Sequence, residues 1–90
     1  MLKRPETTQL IDVPNEGLIA LLGKRITLFC VNYIYTGTLA GVNEKFVQLT
    51  DPAIVYETGP YTTKEWKDSQ KLPNDFYIML AAVEGFGVVK

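Results

Sequence analysis

YTGTLAGVNEKFVQLTD, residues 35–51, decides how this 90-residue chain is to be read. Tyr35 to Ala40 has the composition of a strand, with Gly37 in its interior. An interior glycine marks a sharp bend or a close backbone approach. A tight break follows from Gly41 to Lys45, and then a second strand, with Phe46 and Gln48 on one face and Val47 and Leu49 on the other. The question is whether the break is only a hairpin turn or a binding loop.

Working outward, RITLFCVN alternates Ile26, Leu28 and Cys30 against Thr27, Phe29 and Val31, a strand ending in a turn at Asn32 and Tyr33. Before it, PNEGLIALLGKR carries helix signals: Pro14, Asn15 as N-cap, Glu16 in the first turn, and Leu18, Leu21 and Leu22 on one face. Gly23 is the stop, with Lys24 and Arg25 at the negative end of the dipole. Pro52 interrupts the third strand at a bulge or an edge.

Residues 59–75 form a long polar insert, in which Thr62 and Glu65 have capping-box spacing for a short helix. Phe76 to Val83 is an apolar run without alternation, which requires cover on both faces. Gly85 and Gly87 permit bending in the last strand. Residues 1–13 read as an arm and 14–90 as the domain.

Composition narrows the chemistry. The chain has 9 basic and 10 acidic residues, a balance that argues against non-specific polyanion binding. There is no histidine, which removes the usual triads and most zinc sites. No metal site, cofactor or catalytic residue is expected, and the chain is read as a non-enzyme. Cys30 stands alone, in an apolar strand, and reads as a buried core residue of a cytoplasmic protein. The first ten residues lack the apolar centre of a signal peptide, and no stretch is long enough to span a membrane.

LIALLGKRITLF followed by YTGTLAGVNEKFVQL resembles the first motif of the Sm and Sm-like proteins, which include bacterial Hfq. Gly23, Lys24 and Arg25 match the helix end, Gly37 and Leu39 the Gly-x-Leu element, and Gly41 the loop glycine; AAVEGF is similar to the junction of the last two strands. The resemblance covers roughly residues 15–89, with the 59–75 insert unmatched. It implies a mainly β fold: a short N-terminal helix, then a strongly bent five-stranded antiparallel small barrel of the SH3 type.

The resemblance also implies a homo-oligomeric ring, of about five to eight subunits, closed by pairing residues 76–82 of one subunit with 83–89 of the next. The sequence agrees independently, since these two strands are the least polar and would be aggregation edges if left unpaired. The function implied is binding of single-stranded RNA, or DNA, in processing or chaperoning.

The binding residues carried over are Asn43, Glu44, Lys45 and Phe46 in the loop, with Lys24 and Arg25 as part of a basic crown that also includes Lys3 and Arg4. Phe46 reads either as a stacking face for a base or as the first core residue of its strand. Lys24 and Arg25 read either as the crown or as helix-end charges. Tyr61, Lys64, Trp66, Lys67 and Lys71 interleave aromatics with bases, while Trp66 reads equally as an anchor for the insert. Glu84 reads as a structural carboxylate at the seam between the last two strands. The loop has Asn-Glu-Lys-Phe where the family has acid, aromatic and amide, and no Arg-Gly follows near Leu80. Two alternatives therefore stand beside RNA binding: a structural ring that has lost the nucleic-acid site, and a different small barrel that takes a peptide or ligand.

Overall fold

A computed structural model describes residues 16–90. It is mainly β: strands β1 (Arg25–Cys30), β2 (Ile34–Val42), β3 (Phe46–Glu57), β4 (Asp68–Lys71), β5 (Phe76–Met79) and β6 (Val83–Gly87), with 3-10 helices at Gly17–Leu21 and Leu80–Ala82. All pairings are antiparallel, in the order β4-β3-β2-β1-β6, with β5 also on β3. The path does not close on itself.

The 12-residue β3 pairs with β2 and with two further partners. Its first part pairs with β5, from Phe46↔Met79 to Leu49↔Phe76, and its second part with β4, from Ala53↔Lys71 to Glu57↔Asp68. Between the two lies the bend. Pairing with β2 steps from Thr38↔Thr50 to Thr36↔Ala53, so Asp51 and Pro52 together oppose Gly37. That two-against-one count is a β-bulge. Asp51 takes the left-handed φ of 49°, and Pro52 has no N–H to contribute to the ladder. A Cβ at Gly37 would lie 3.1 Å from Leu49 Cβ and 3.2 Å from both Pro52 Cα and Thr50 O. The glycine and proline expected to mark a bend thus form its two sides.

The core gathers Ile26, Leu28, Leu39, Val47, Leu49 and Ile78, all essentially buried. Alternation puts Thr27, Thr36, Ala53 and Val55 on the reverse face, where they are also buried. Thr36 Oγ1 donates to Ile26 O at 2.9 Å, which satisfies its hydroxyl in that setting.

Four expectations change. The helix is a five-residue 3-10 segment, whose three-residue period lines up Leu18 and Leu21 against the core and leaves Leu22 45% exposed. Glu16, expected in the first turn, is instead the N-cap residue and makes no side-chain cap bond, while Pro14 and Asn15 lie outside the described residues. The insert holds a strand, β4, so there are six strands rather than five. The Thr62–Glu65 helix is absent: a turn closed by Thr63 N–H to Pro60 O at 3.0 Å and a bend occupy that segment. Finally, residues 76–82 and 83–89 are not two uniform strands. The 3-10 helix takes 80–82 and turns the chain from β5, on β3, to β6, on β1 at the other end of the sheet.

Candidate functional site

The β2–β3 loop is built by one side chain. Asn43 Oδ1 accepts from Lys45 N–H at 2.8 Å and Phe46 N–H at 2.9 Å, while Asn43 N–H donates to Phe46 O at 3.0 Å. This is an Asx turn, in which the amide side chain replaces a backbone acceptor. Lys45 O accepts from Leu80 N–H at 2.8 Å, tying the loop to the second 3-10 helix. Glu44 and Lys45 are exposed at the tip. Asn43 keeps its NH2 group, two donors, to offer outward.

Phe46 is half-buried and belongs to the outer face, not the core, because Val47 and Leu49 point inward. Its ring meets Tyr77 edge-on, centroids 5.2 Å apart and planes at 87°. Gln48 Nε2 donates to Asp75 Oδ2 at 3.4 Å on the same part of the surface. The loop and this aromatic pair form one continuous patch.

Lys24 and Arg25 are not part of it. Lys24 O accepts from Leu39 N–H, and Arg25 pairs with Thr38. At the rise of a strand, Leu39 lies roughly 13 Å along the hairpin from Asn43. Arg25 Nη1 donates to Asp51 O at 2.9 Å and lies 3.6 Å from Asp51 Oδ2, so its charge supports the bulge. Lys24 is exposed. Lys3 and Arg4 lie outside the described residues.

Sequence reading missed Tyr77 and Met79, which stand 55% and 57% exposed on β5. Cover on both faces, expected from the unbroken apolar run, is thus not found for β5 among the described residues: Phe76 and Ile78 turn inward and Tyr77 and Met79 outward, and the one sequence signal was that tyrosine tolerates water at its hydroxyl end. Beside β5 runs an apolar groove of about 280 Å³, lined by Val31, Tyr33, Tyr35, Phe76, Ile78 and Met79 among others. Tyr35 stacks on Phe76 at 5.4 Å, and Tyr33 meets Tyr35 at 6.2 Å. Cys30 borders the groove; burial and then the Glu84 carboxylate push its thiol above the ordinary value. Burial, with Cys30 and Tyr33 adding, does the same for the Tyr35 phenol. Glu84 itself is exposed on β6. A thiol held protonated is a weak nucleophile.

In the insert, Trp66 is half-buried and lies under the Lys90 ammonium, and Lys67 Nζ is 3.4 Å from Glu57 Oε2. Among the described residues, no three Cys, Asp or Glu side chains converge as metal ligands, and no helix is long and apolar enough to cross a membrane. Compared with known proteins, the chain matches no family model and no curated protein.

Proposed function

We propose that the chain is a divergent Sm-like subunit of the cytoplasm, whose bent sheet is the open form of a small barrel, and that it assembles into a ring binding single-stranded RNA, or DNA, without catalysis. One observation carries this reading: the Asx-turned loop sets Lys45 and the donors of Asn43 beside the Phe46–Tyr77 pair, on one exposed patch. An unstacked base stacks on an aromatic face for roughly 1–3 kcal/mol, and a lysine meets the adjacent phosphate. The ring is supported by outer edges of β5 and β6 that pair with no further strand among the described residues, with Tyr77, Met79 and Phe86 exposed beside them. A heterologous contact between these edges closes when the rotation per subunit divides the circle.

A second reading, an assembly ring without nucleic acid, is favoured by how the polar groups are engaged. Asn43 Oδ1 is taken by the backbone and Arg25 by Asp51. Titrating fluorescent oligo-U and oligo-A over a salt series separates the two. Under the first reading, log affinity falls by roughly 0.7 per phosphate engaged for each unit of log salt, and Lys45→Ala lowers that slope. Phe46→Ala weakens binding with the slope unchanged. Absence of binding at low salt transfers the assignment to the assembly ring. Native mass spectrometry tests assembly separately, and a monomer at micromolar concentration rejects both.

A further inference from the structure

The reverse face of the sheet holds a device that neither reading of the loop uses. Lys90 follows β6, one end of the sheet path, yet its ammonium sits in the β3–β4 connection near the other end. Lys90 Nζ donates to Thr58 O at 2.6 Å, Glu65 O at 2.8 Å and Pro60 O at 3.0 Å. It also lies 4.6 Å from the Trp66 ring centroid and 5.9 Å from that of Tyr61. An ammonium has three N–H donors and here each finds a carbonyl, while an indole face supplies the remaining attraction.

The seat is built by the loop and not by the lysine. Gly59 adopts φ +66°, the left-handed region open to glycine, between two of the three carbonyl-bearing residues. Thr58 Oγ1 donates to Gly59 O at 2.9 Å, and Thr63 N–H to Pro60 O at 3.0 Å, so the turns that aim the carbonyls are bonded independently of Lys90. Tyr61 lies 6.5 Å from Phe29 of β1, which draws the loop over the sheet. Among the described residues no carboxylate pairs with the ammonium, and its partners there are carbonyl dipoles and a π face.

We propose that residues 58–66 form a binding site specific for a primary ammonium group, filled in this chain by Lys90, which thereby clasps the two ends of an otherwise open sheet. The ligand class follows from the donor count. A lysine side chain or an alkylammonium satisfies all three carbonyls. A quaternary ammonium keeps the charge and the π contact but has no N–H for any of the three carbonyls. A guanidinium spreads its donors over three nitrogens with at most two N–H each, so it cannot serve three acceptors that converge on one nitrogen.

Trp66 is the chain's one tryptophan, so its fluorescence reports the seat directly. The experiment compares wild type with Lys90→Met, each titrated with n-butylammonium chloride and with tetramethylammonium chloride at constant ionic strength. Lys90→Met is expected to shift Trp66 emission. n-Butylammonium is expected to reverse the shift saturably, in the variant and not in wild type. Tetramethylammonium is expected to bind at least about tenfold more weakly, since each lost charged hydrogen bond removes about that factor. Equal response to the two cations, equal response of wild type and variant, or no emission change on substitution overturns the proposal. If Lys90→Met loses its far-UV circular dichroism, wild-type NMR decides: the Lys90 ε-methylene protons are shifted upfield by the indole ring current, and unshifted protons reject the site.

Discussion

Replacing Gly37 by alanine tests the bend that organises the sheet. The new methyl would sit 3.1 Å from Leu49 Cβ and 3.2 Å from Pro52 Cα and Thr50 O, so two of its three neighbours are backbone atoms. Those atoms belong to the bulge, which is pinned by Arg25 Nη1 on Asp51 O and by Leu72 N–H on Pro52 O at 2.8 Å. Relief by a rotamer change is therefore closed off, and β3 must move away from β2. Overpacking of this kind costs about 1–3 kcal/mol. Against it stands the smaller entropy of the unfolded alanine chain, about 0.4–1 kcal/mol, because Gly37 does not have a positive φ. The net is a destabilisation of about 1–2 kcal/mol, which for a domain of this size lowers Tm by roughly 5–15 °C. Gly85→Ala is the control: it also lies in a strand, with nothing within 4 Å of its added Cβ, and should leave Tm level or slightly raised. Thermal melts of the two variants followed by circular dichroism give the comparison. A Gly37→Ala protein that melts with or above wild type would refute the close approach as the reason for glycine here.

Asn43→Ala removes both side-chain bonds of the loop and should cost about 1 kcal/mol in urea denaturation, whereas Asn43→Asp keeps the acceptor and should recover most of it; equal loss in both would remove the Asx turn from the account. Met79→Lys places a charge at the β5 edge on an exposed position, so monomer stability should stay within about 0.5 kcal/mol while any oligomer seen by native mass spectrometry dissociates; an unchanged oligomer mass would place the interface elsewhere. Cys30, only partly buried, should react with a disulfide reagent more slowly folded than unfolded, because burial and then the Glu84 carboxylate hold back its ionisation. Its folded pKa is raised, so between the unfolded value, about 8.5, and the folded one the unfolded chain holds fewer protons, and stability falls as pH rises through that window; Cys30→Ala should flatten the fall.

The strands and the bend were legible because their signals are local. Alternation over Ile26–Cys30 and Phe46–Leu49, the glycine at 37 and the proline at 52 each fix backbone geometry within a few residues. What escaped depends on partners far along the chain. DSQK has poor strand composition, and β4 exists because the second half of β3 has unpaired backbone groups that need a ladder. The 3-10 turn at Leu80–Ala82 is equally non-local: Leu80 N–H finds Lys45 O, and Val31 N–H finds Ala82 O, so the apolar run breaks where two loops take its hydrogen bonds. In the site, the loop residues were legible as neighbours in sequence. The place of Lys24 and Arg25 was not, since Arg25 is turned to Asp51 by the bulge. Lys90 gave no sequence signal, because its seat is made of backbone carbonyls that carry no residue identity.

The cations divide into two groups, and the division bears on what a polyanion would meet. Arg25 is held by Asp51, Lys67 by Glu57 and Lys90 by three carbonyls. Lys24, Lys45, Lys64 and Lys71 make no ion pair among the described residues. Lys64 and Lys71 line one groove with Arg25 and Lys90, whereas Lys24 sits at the start of β1 and Lys45 at the loop tip, and exposed acids such as Glu44, Glu65 and Asp68 stand among them. At physiological salt the screening length is about 8 Å, shorter than the roughly 13 Å between the Lys24 region and the loop, so Lys24 and Lys45 do not act as one field on a single subunit. On the proposed reading, affinity for a nucleic-acid strand would come from repetition of the Lys45–Phe46–Tyr77 patch around an assembly, each subunit adding one phosphate contact and one stacking face. Binding and assembly are coupled on that reading: a variant at the β6 edge, away from the loop, such as Phe86→Lys at a position 43% exposed, should lose avidity for long oligonucleotides while leaving the weak binding of a single nucleotide to each subunit unchanged.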